Sequence, residues 1–122
     1  MQLVPVVDIR DPGTTSLVDL DAACRDHGFF LLTGHELDGV IARTFEAAKR
    51  FFDAPYEVKH AIRRDAVNPL GYNDRELTKR RRDHKEVFDL VDPVQGRAQH
   101  HNRWPSVEGF REAMVEHYDA CS

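Results

Sequence analysis

Between Asp38 and Phe52, apolar side chains recur at Ile41, Phe45, Ala48 and Phe52, spacings of i, i+4, i+7 and i+11. That rhythm follows the 3.6-residue turn, so the segment is expected to form an amphipathic helix with one apolar stripe. Asp38 offers an N-cap oxygen, and the helix has to stop before Pro55, which lacks a backbone donor. A stripe of this kind is stable only against a partner surface, which the rest of the chain must supply.

The flanking sequence reads as further helices and short strands. Pro55 opens a short helical segment, Tyr56 to Arg64. Upstream, Ser16 is the expected cap of a first helix with Asp19 in its first turn, Leu17, Leu20 and Cys24 on one face, and Gly28 as a left-handed C-cap. A last helix starts near Ser106 and aligns Val107, Phe110, Met114 and Tyr118. Leu3 to Ile9 is β-branched but interrupted by Pro5, which suits an edge strand, and Asp11-Pro-Gly13 is turn chemistry. The continuous apolar run Phe29 to Thr33 reads as a buried strand, and Glu86 to Val91 as an alternating one. Asn68 to Gly71 is a turn, and Asp92 to Trp104 a loop. The last helix is still amphipathic and uncapped at Ser122, so the chain is expected to be cut within a longer protein.

A length of 122 residues allows one domain, 1–122, without repeat or linker. With 41% hydrophobic and 31% charged residues, it can build a core and does not read as disordered. A formal charge of −4 provides no global basic field for nucleic acid or membrane, and neither partner is expected. Cys24 and Cys121 are too few for a disulfide framework and read as reduced thiols. No run approaches the roughly 18 apolar residues of a membrane helix. Asp8, Arg10 and Asp11 break the only early apolar run, which argues against a signal peptide, so a cytoplasmic protein is expected.

Three groups of residues invite a chemical reading. His84-Lys-Glu86 sits at the expected start of a strand, where i and i+2 share a side, so it is either an iron-ligand seed or an exposed strand start. His100, His101 or His117 would be the distal ligand. His117-Tyr-Asp119 fails on geometry, because i and i+2 diverge on a helix. Arg75 to Lys85 carries six basic and two acidic residues, which makes it a solvated face, an anion-steering element or, without interleaved aromatics, a poor nucleic-acid site. No nucleophile elbow or glycine-rich phosphate loop is present.

Taken in order, several segments resemble one family. Val4-Pro-Val-Val-Asp-Ile9 is similar to the opening "IPVIDL" strand of the isopenicillin N synthase-like iron(II)/2-oxoglutarate-dependent dioxygenases. Ala23-Cys-Arg-Asp-His-Gly-Phe-Phe-Leu-Leu-Thr-Gly-His35 resembles its "AC..wGFF.l.nHG" segment, although Glu36 stands where the family has glycine. Phe51-Phe-Asp-Ala-Pro55 with Lys59 resembles "FF.LP...K", and Gly71-Tyr72 the "GY" loop. Asp83-His-Lys-Glu-Val-Phe-Asp89 resembles "dwKE.fdl", and Asn102-Arg-Trp-Pro105 with Phe110-Arg111 resembles "N.WP....FR".

The resemblance implies an α+β fold, a mostly helical amino-terminal cap with a few short strands that would join a double-stranded β-helix, or jelly roll, lying beyond this chain. It implies Fe(II) and 2-oxoglutarate for the full-length enzyme, with neither bound by this chain, because the family's His-x-Asp, distal His and Arg-x-Ser come later. No catalytic and no metal-binding residue is therefore assigned here, and His84 falls where the family commonly has tryptophan. Tyr72, Asn73, Lys85 and Phe88 fall at positions that often contact substrate, with Arg75 a looser candidate. The implied role is the pocket-bracing front part of an oxygenase of a small organic molecule, partnered by the missing jelly roll and inactive alone. Two other readings stay open: a stand-alone interaction module, and a small anion- or nucleic-acid-binding domain using Lys79 to Arg82.

Overall fold

The computed structural model describes residues 4–10, 13–93 and 100–122, which form two compact units, 1–39 and 40–122. In the first, β1 (Val6–Asp8) leads into α1 (Thr14–Asp26), and β2 (Leu31–Thr33) returns parallel to β1 in the register Val7↔Leu32. Parallel neighbours need a crossover of this length, and α1 provides it. Its start differs from the sequence expectation. Extended Gly13 is the N-cap, and Ser16 lies inside the helix with its hydroxyl donating to the Asp8 carbonyl at 3.0 Å. The helix therefore turns Ser16, Leu20 and Ala23 inward, while Leu17 and Cys24 are exposed. Gly28 closes it as expected, at φ +77° with its N–H on the Ala23 carbonyl. Asp11 and Pro12 of the expected turn lie outside the described residues.

The run from Phe29 to Thr33 is not the buried strand its composition predicts. Phe29, Leu31 and Leu32 are exposed. Burial on both faces needs two covering layers, and a two-stranded ladder with one helix does not supply them. After β2 the backbone turns through two left-handed residues, Gly34 and Glu36, at φ +75° and +57°. Gly34 suits its place because a Cβ there would stand 2.9 Å from the Arg10 backbone nitrogen, which a rotamer change cannot move. Glu36 occupies the second position despite its side chain.

The second unit is built around Phe51 of α2 (Asp38–Phe52). Its ring lies 5.0 Å from Phe110, 5.2 Å from Phe88 and 6.2 Å from Tyr72 between centroids. Phe51 sets the helix's rotation: Ala47 joins it in the core, with Ala48 and Phe52 packed alongside. Phe45, six residues back and so about 120° around the helix, is 72% exposed. The expected stripe is thus right in period and rotated in phase.

Pro55 precedes α3 (Tyr56–His60), shorter than the expected Tyr56–Arg64 segment because the next strand captures its continuation. The Tyr72 N–H donates to the Ile62 carbonyl at 3.0 Å, and the Arg64 N–H to the Tyr72 carbonyl at 2.9 Å. That strand is β3 (Gly71–Asn73). A hairpin of β4 (Leu77–Thr78) and β5 (Arg81–Arg82) follows, turning through Lys79 and Arg80 at φ +51° and +64°. Two left-handed central residues are the type I′ arrangement that matches strand twist. Then β6 (Val87–Asp89) pairs antiparallel with β3 in the register Tyr72↔Phe88.

Asn102 clips the chain beyond β6. Its Oδ1 accepts from the Val91 N–H at 2.9 Å and its Nδ2 donates to the Val91 carbonyl at 2.8 Å, a side-chain copy of a strand pairing. Residues 94–99 of the expected loop lie outside the described residues. Gly109, left-handed at φ +76°, begins α4 (Phe110–Cys121), later than the expected start near Ser106. Phe110 and Met114 are buried as expected, Val107 packs on the core from the preceding turn, and Tyr118 is half-buried. The α+β class is as expected: four helices with short strands in two-stranded sheets among the described residues.

Two glycine positions give opposite predictions. A Cβ at Gly71 would stand 2.2 Å from the Ile62 carbonyl oxygen, at φ +108°. Gly71→Ala should cost about 2–4 kcal/mol in chemical denaturation; a loss within error would show that the Ile62–Tyr72 approach is slack. Glu36→Gly should stabilise by about 0.5–1 kcal/mol, the left-handed strain relieved less the added chain entropy. An unchanged or lower midpoint would contradict it.

Candidate functional site

Three side chains far apart in sequence meet at one oxygen, Glu86 Oε1. The Tyr72 hydroxyl donates to it at 2.6 Å, and the Lys59 ammonium forms an ion pair with it. Lys59 also donates to the Phe52 carbonyl at 2.9 Å and lies 5.7 Å from the Tyr72 ring centroid. Lys59 is placed in the last turn of α3, beside the orphan carbonyls at the end of α2, where a cation is favoured. Tyr72 comes from the middle of β3, and Glu86 directly precedes β6.

Burial differs across the node. Lys59 is 8% exposed and Tyr72 1%, whereas the Glu86 side chain is 39% exposed. The Lys59 ammonium, and after it the Tyr72 hydroxyl, hold the Glu86 carboxyl below the usual carboxylate range. Burial, and then the bond to Glu86, push the Tyr72 hydroxyl above its ordinary value, so it stays protonated and donates.

Two clefts lie beside Tyr72. One, of about 350 Å³, is walled by Tyr56, Tyr72, Asp74, Arg82, His84, Lys85 and Glu86. The other, of about 430 Å³, is walled by His60, Arg63, Arg64, Tyr72, Asn73, Asp74 and Arg75. The four expected substrate contacts divide between them. Tyr72 borders both clefts, Asn73 only the larger and Lys85 only the smaller. Phe88 borders neither; it stands across the ladder from Tyr72 and packs against Phe51 and Phe110. Asn73 is 8% exposed, its Oδ1 accepts from the Arg75 N–H at 3.2 Å, and its Nδ2 has no acceptor among the described residues. Lys85 is paired with Glu76 at 2.6 Å and Asp83 at 3.7 Å.

The basic stretch from Arg75 to Lys85 is the hairpin rather than a loop or helix face. Its signal is faint in sequence because the turn lacks Asn-Gly or Asp-Gly. Lys59 carries no site signal in the sequence, and Glu86 stands out there only as an iron-ligand seed beside His84, although each stands at a matched position of the family segments, the final Lys of "FF.LP...K" and the Glu of "dwKE.fdl". Only the fold brings them together.

The described residues do not fit an iron centre. Glu86 is committed to Lys59 and Tyr72, and its neighbour His84 is exposed. Among the described residues no group of three or more His, Cys, Asp or Glu converges as metal ligands.

The depressed Glu86 value fixes a pH signature. Its pairing contributes fully above the unfolded carboxylate value of about 4.3 and is lost as pH falls through the lower folded value. Glu86→Gln should cost about 1–2 kcal/mol at pH 7, solvent screening keeping it at the low end for a charge-assisted node. That difference should shrink steadily below about pH 4. A difference that stays constant from pH 7 to pH 3 would show that the Glu86 charge contributes nothing.

Residues 4–107 match the family described as non-haem dioxygenase in morphine synthesis N-terminal. A homoarginine-6-hydroxylase of Arabidopsis thaliana is 32% identical over 98% of this chain and 44% of its own length. A flavanone 3-dioxygenase of Oryza sativa subsp. japonica is 38% identical over 51% of this chain and 19% of its own length. A 2-oxoglutarate-Fe(II) type oxidoreductase of Aspergillus fumigatus is 48% identical over 40% of this chain and 15% of its own length. The chain spans less than half the length of these relatives. It belongs to the non-haem dioxygenase amino-terminal family.

Proposed function

We propose that this chain is the amino-terminal domain of an iron(II)/2-oxoglutarate-dependent oxygenase of a small organic molecule, in which it walls part of the substrate pocket and braces the catalytic jelly roll. The observation that supports this most directly is the family match over residues 4–107 together with relatives more than twice as long. In this reading Fe(II) and 2-oxoglutarate are held by the partner domain, consistent with a Glu86 carboxylate already spent on Lys59 and Tyr72. Cytoplasmic placement remains part of the proposal; among the described residues no helix is long and apolar enough to cross a membrane.

The chain's own contribution is positional. Tyr72 presents its ring between Phe51 and the clefts, with its hydroxyl fixed by Glu86. Asn73 offers a polar group beside it, Lys85 a cation on the neighbouring cleft, and Phe88 supports Tyr72 from across the ladder. Tyr72, Asn73 and Lys85 can orient a substrate without touching the reacting atoms, which is binding and orientation rather than chemistry, and Phe88 acts only through Tyr72.

The 122-residue chain alone should therefore show no turnover. Iron-dependent succinate release from 2-oxoglutarate by the purified chain would contradict that. In the full-length enzyme, Tyr72→Phe and Asn73→Ala should raise KM about 3- to 30-fold with little change in kcat, the pattern of lost substrate binding. An equal fall in kcat and kcat/KM with KM unchanged would remove these residues from the pocket wall.

A further inference from the structure

The larger cleft carries more positive charge than its own acids neutralise. Arg63, Arg64 and Arg75 line it against the single carboxylate of Asp74, which also faces Arg82 at 4.0 Å. Arg64 has Glu76 at 3.9 Å. Arg63 instead places Nη1 2.9 Å from His60 Nδ1, a ring nitrogen, and among the described residues neither Arg63 nor Arg75 has a carboxylate partner. Guanidinium groups left in this state favour carboxylate and phosphate oxyanions, which they grip with paired N–H donors.

Asn73 supplies an independent observation. It lines the same cleft, is 8% exposed, and has its acceptor side taken by the Arg75 N–H. Its Nδ2 is buried with no acceptor among the described residues. Native folds rarely keep such a donor unless something answers it. An oxyanion held by the guanidinium groups of Arg63 and Arg75 would bring acceptor oxygens to this amide.

We propose that the cleft bounded by Arg63, Arg75 and Asn73 binds a small organic or inorganic oxyanion, a carboxylate or a phosphate. The proposal rests on the reading of Tyr72 and Asn73 as a ligand-facing wall and gives that wall a charge class. It assigns His60, Arg63 and Arg75 to ligand binding, with Arg63 and Arg75 providing charge, Asn73 a neutral donor, and His60 holding the Arg63 fork in place.

Titration of the intact protein with glutarate, and separately with inorganic phosphate, tests it, followed through the Asn73 side-chain amide resonances. Glutaramide serves as the uncharged control. Saturable shifts are expected with at least one anion and none with glutaramide; glutarate alone identifies a carboxylate site, phosphate alone a phosphate site. Arg63→Gln with Arg75→Gln should weaken binding about tenfold or more. Arg25→Gln on α1 should leave it unchanged, and exposed Arg75→Gln alone should already weaken it should the double variant not fold. Silence of the Asn73 amide to both anions, equal binding of glutaramide, or full affinity in folded Arg75→Gln would each overturn the cleft. Anion binding to the chain, combined with a full-length KM indifferent to Arg63→Gln and Arg75→Gln, would support the anion site and refute the substrate-wall reading separately.

Discussion

The second unit depends on a single carboxylate oxygen. Glu86 Oε1 joins the end of α3, the centre of β3 and the start of β6 through Lys59 and Tyr72. A lysine 8% exposed cannot be left unpaired cheaply, and a tyrosine hydroxyl at 1% exposure needs an acceptor. Glu86 satisfies both at once, while the remaining Lys59 contact closes the Phe52 carbonyl at the end of α2. The node lies against the aromatic cluster: Tyr72 packs edge-on to Phe51, and Phe51 in turn meets Phe88 and Phe110. Polar geometry thus fixes where the aromatic core stops and the clefts begin.

How much of this was legible in sequence varies with the range of the interaction. The α2 helix was readable because its period is local, but the phase of its buried face was not. Phe51, which sets that phase, is chosen by rings from β3, β6 and α4. The inward face of α1 moved for a similar reason, with Ser16 bonding the Asp8 carbonyl rather than capping its own helix. The β4–β5 hairpin was invisible because Lys79 and Arg80 hold left-handed conformations that glycine or asparagine usually mark. Gly71 read as turn chemistry, whereas the close Ile62 carbonyl explains why no side chain fits there.

The site shows the same division. Tyr72, Asn73 and Lys85 were marked by their places in recurring segments, and the fold sets them on the two clefts beside β3. Phe88 came from the same segment but faces the core. Lys59 and Glu86 carried no sequence-local hint of partnership, since 27 positions separate them. Three separately matched segments therefore converge at one hydrogen-bonded node, and it holds the strand that borders both clefts. That convergence connects family membership to the pocket-wall role proposed for this chain.

A double-mutant cycle between Lys59→Met and Tyr72→Phe, read by chemical denaturation, tests the node most directly. Two donors sharing one acceptor predict a coupling energy of about 1 kcal/mol, well outside the additivity seen for independent sites. Additive losses within about 0.3 kcal/mol would mean that Lys59 and Tyr72 contribute separately, and that Glu86 does not organise this unit.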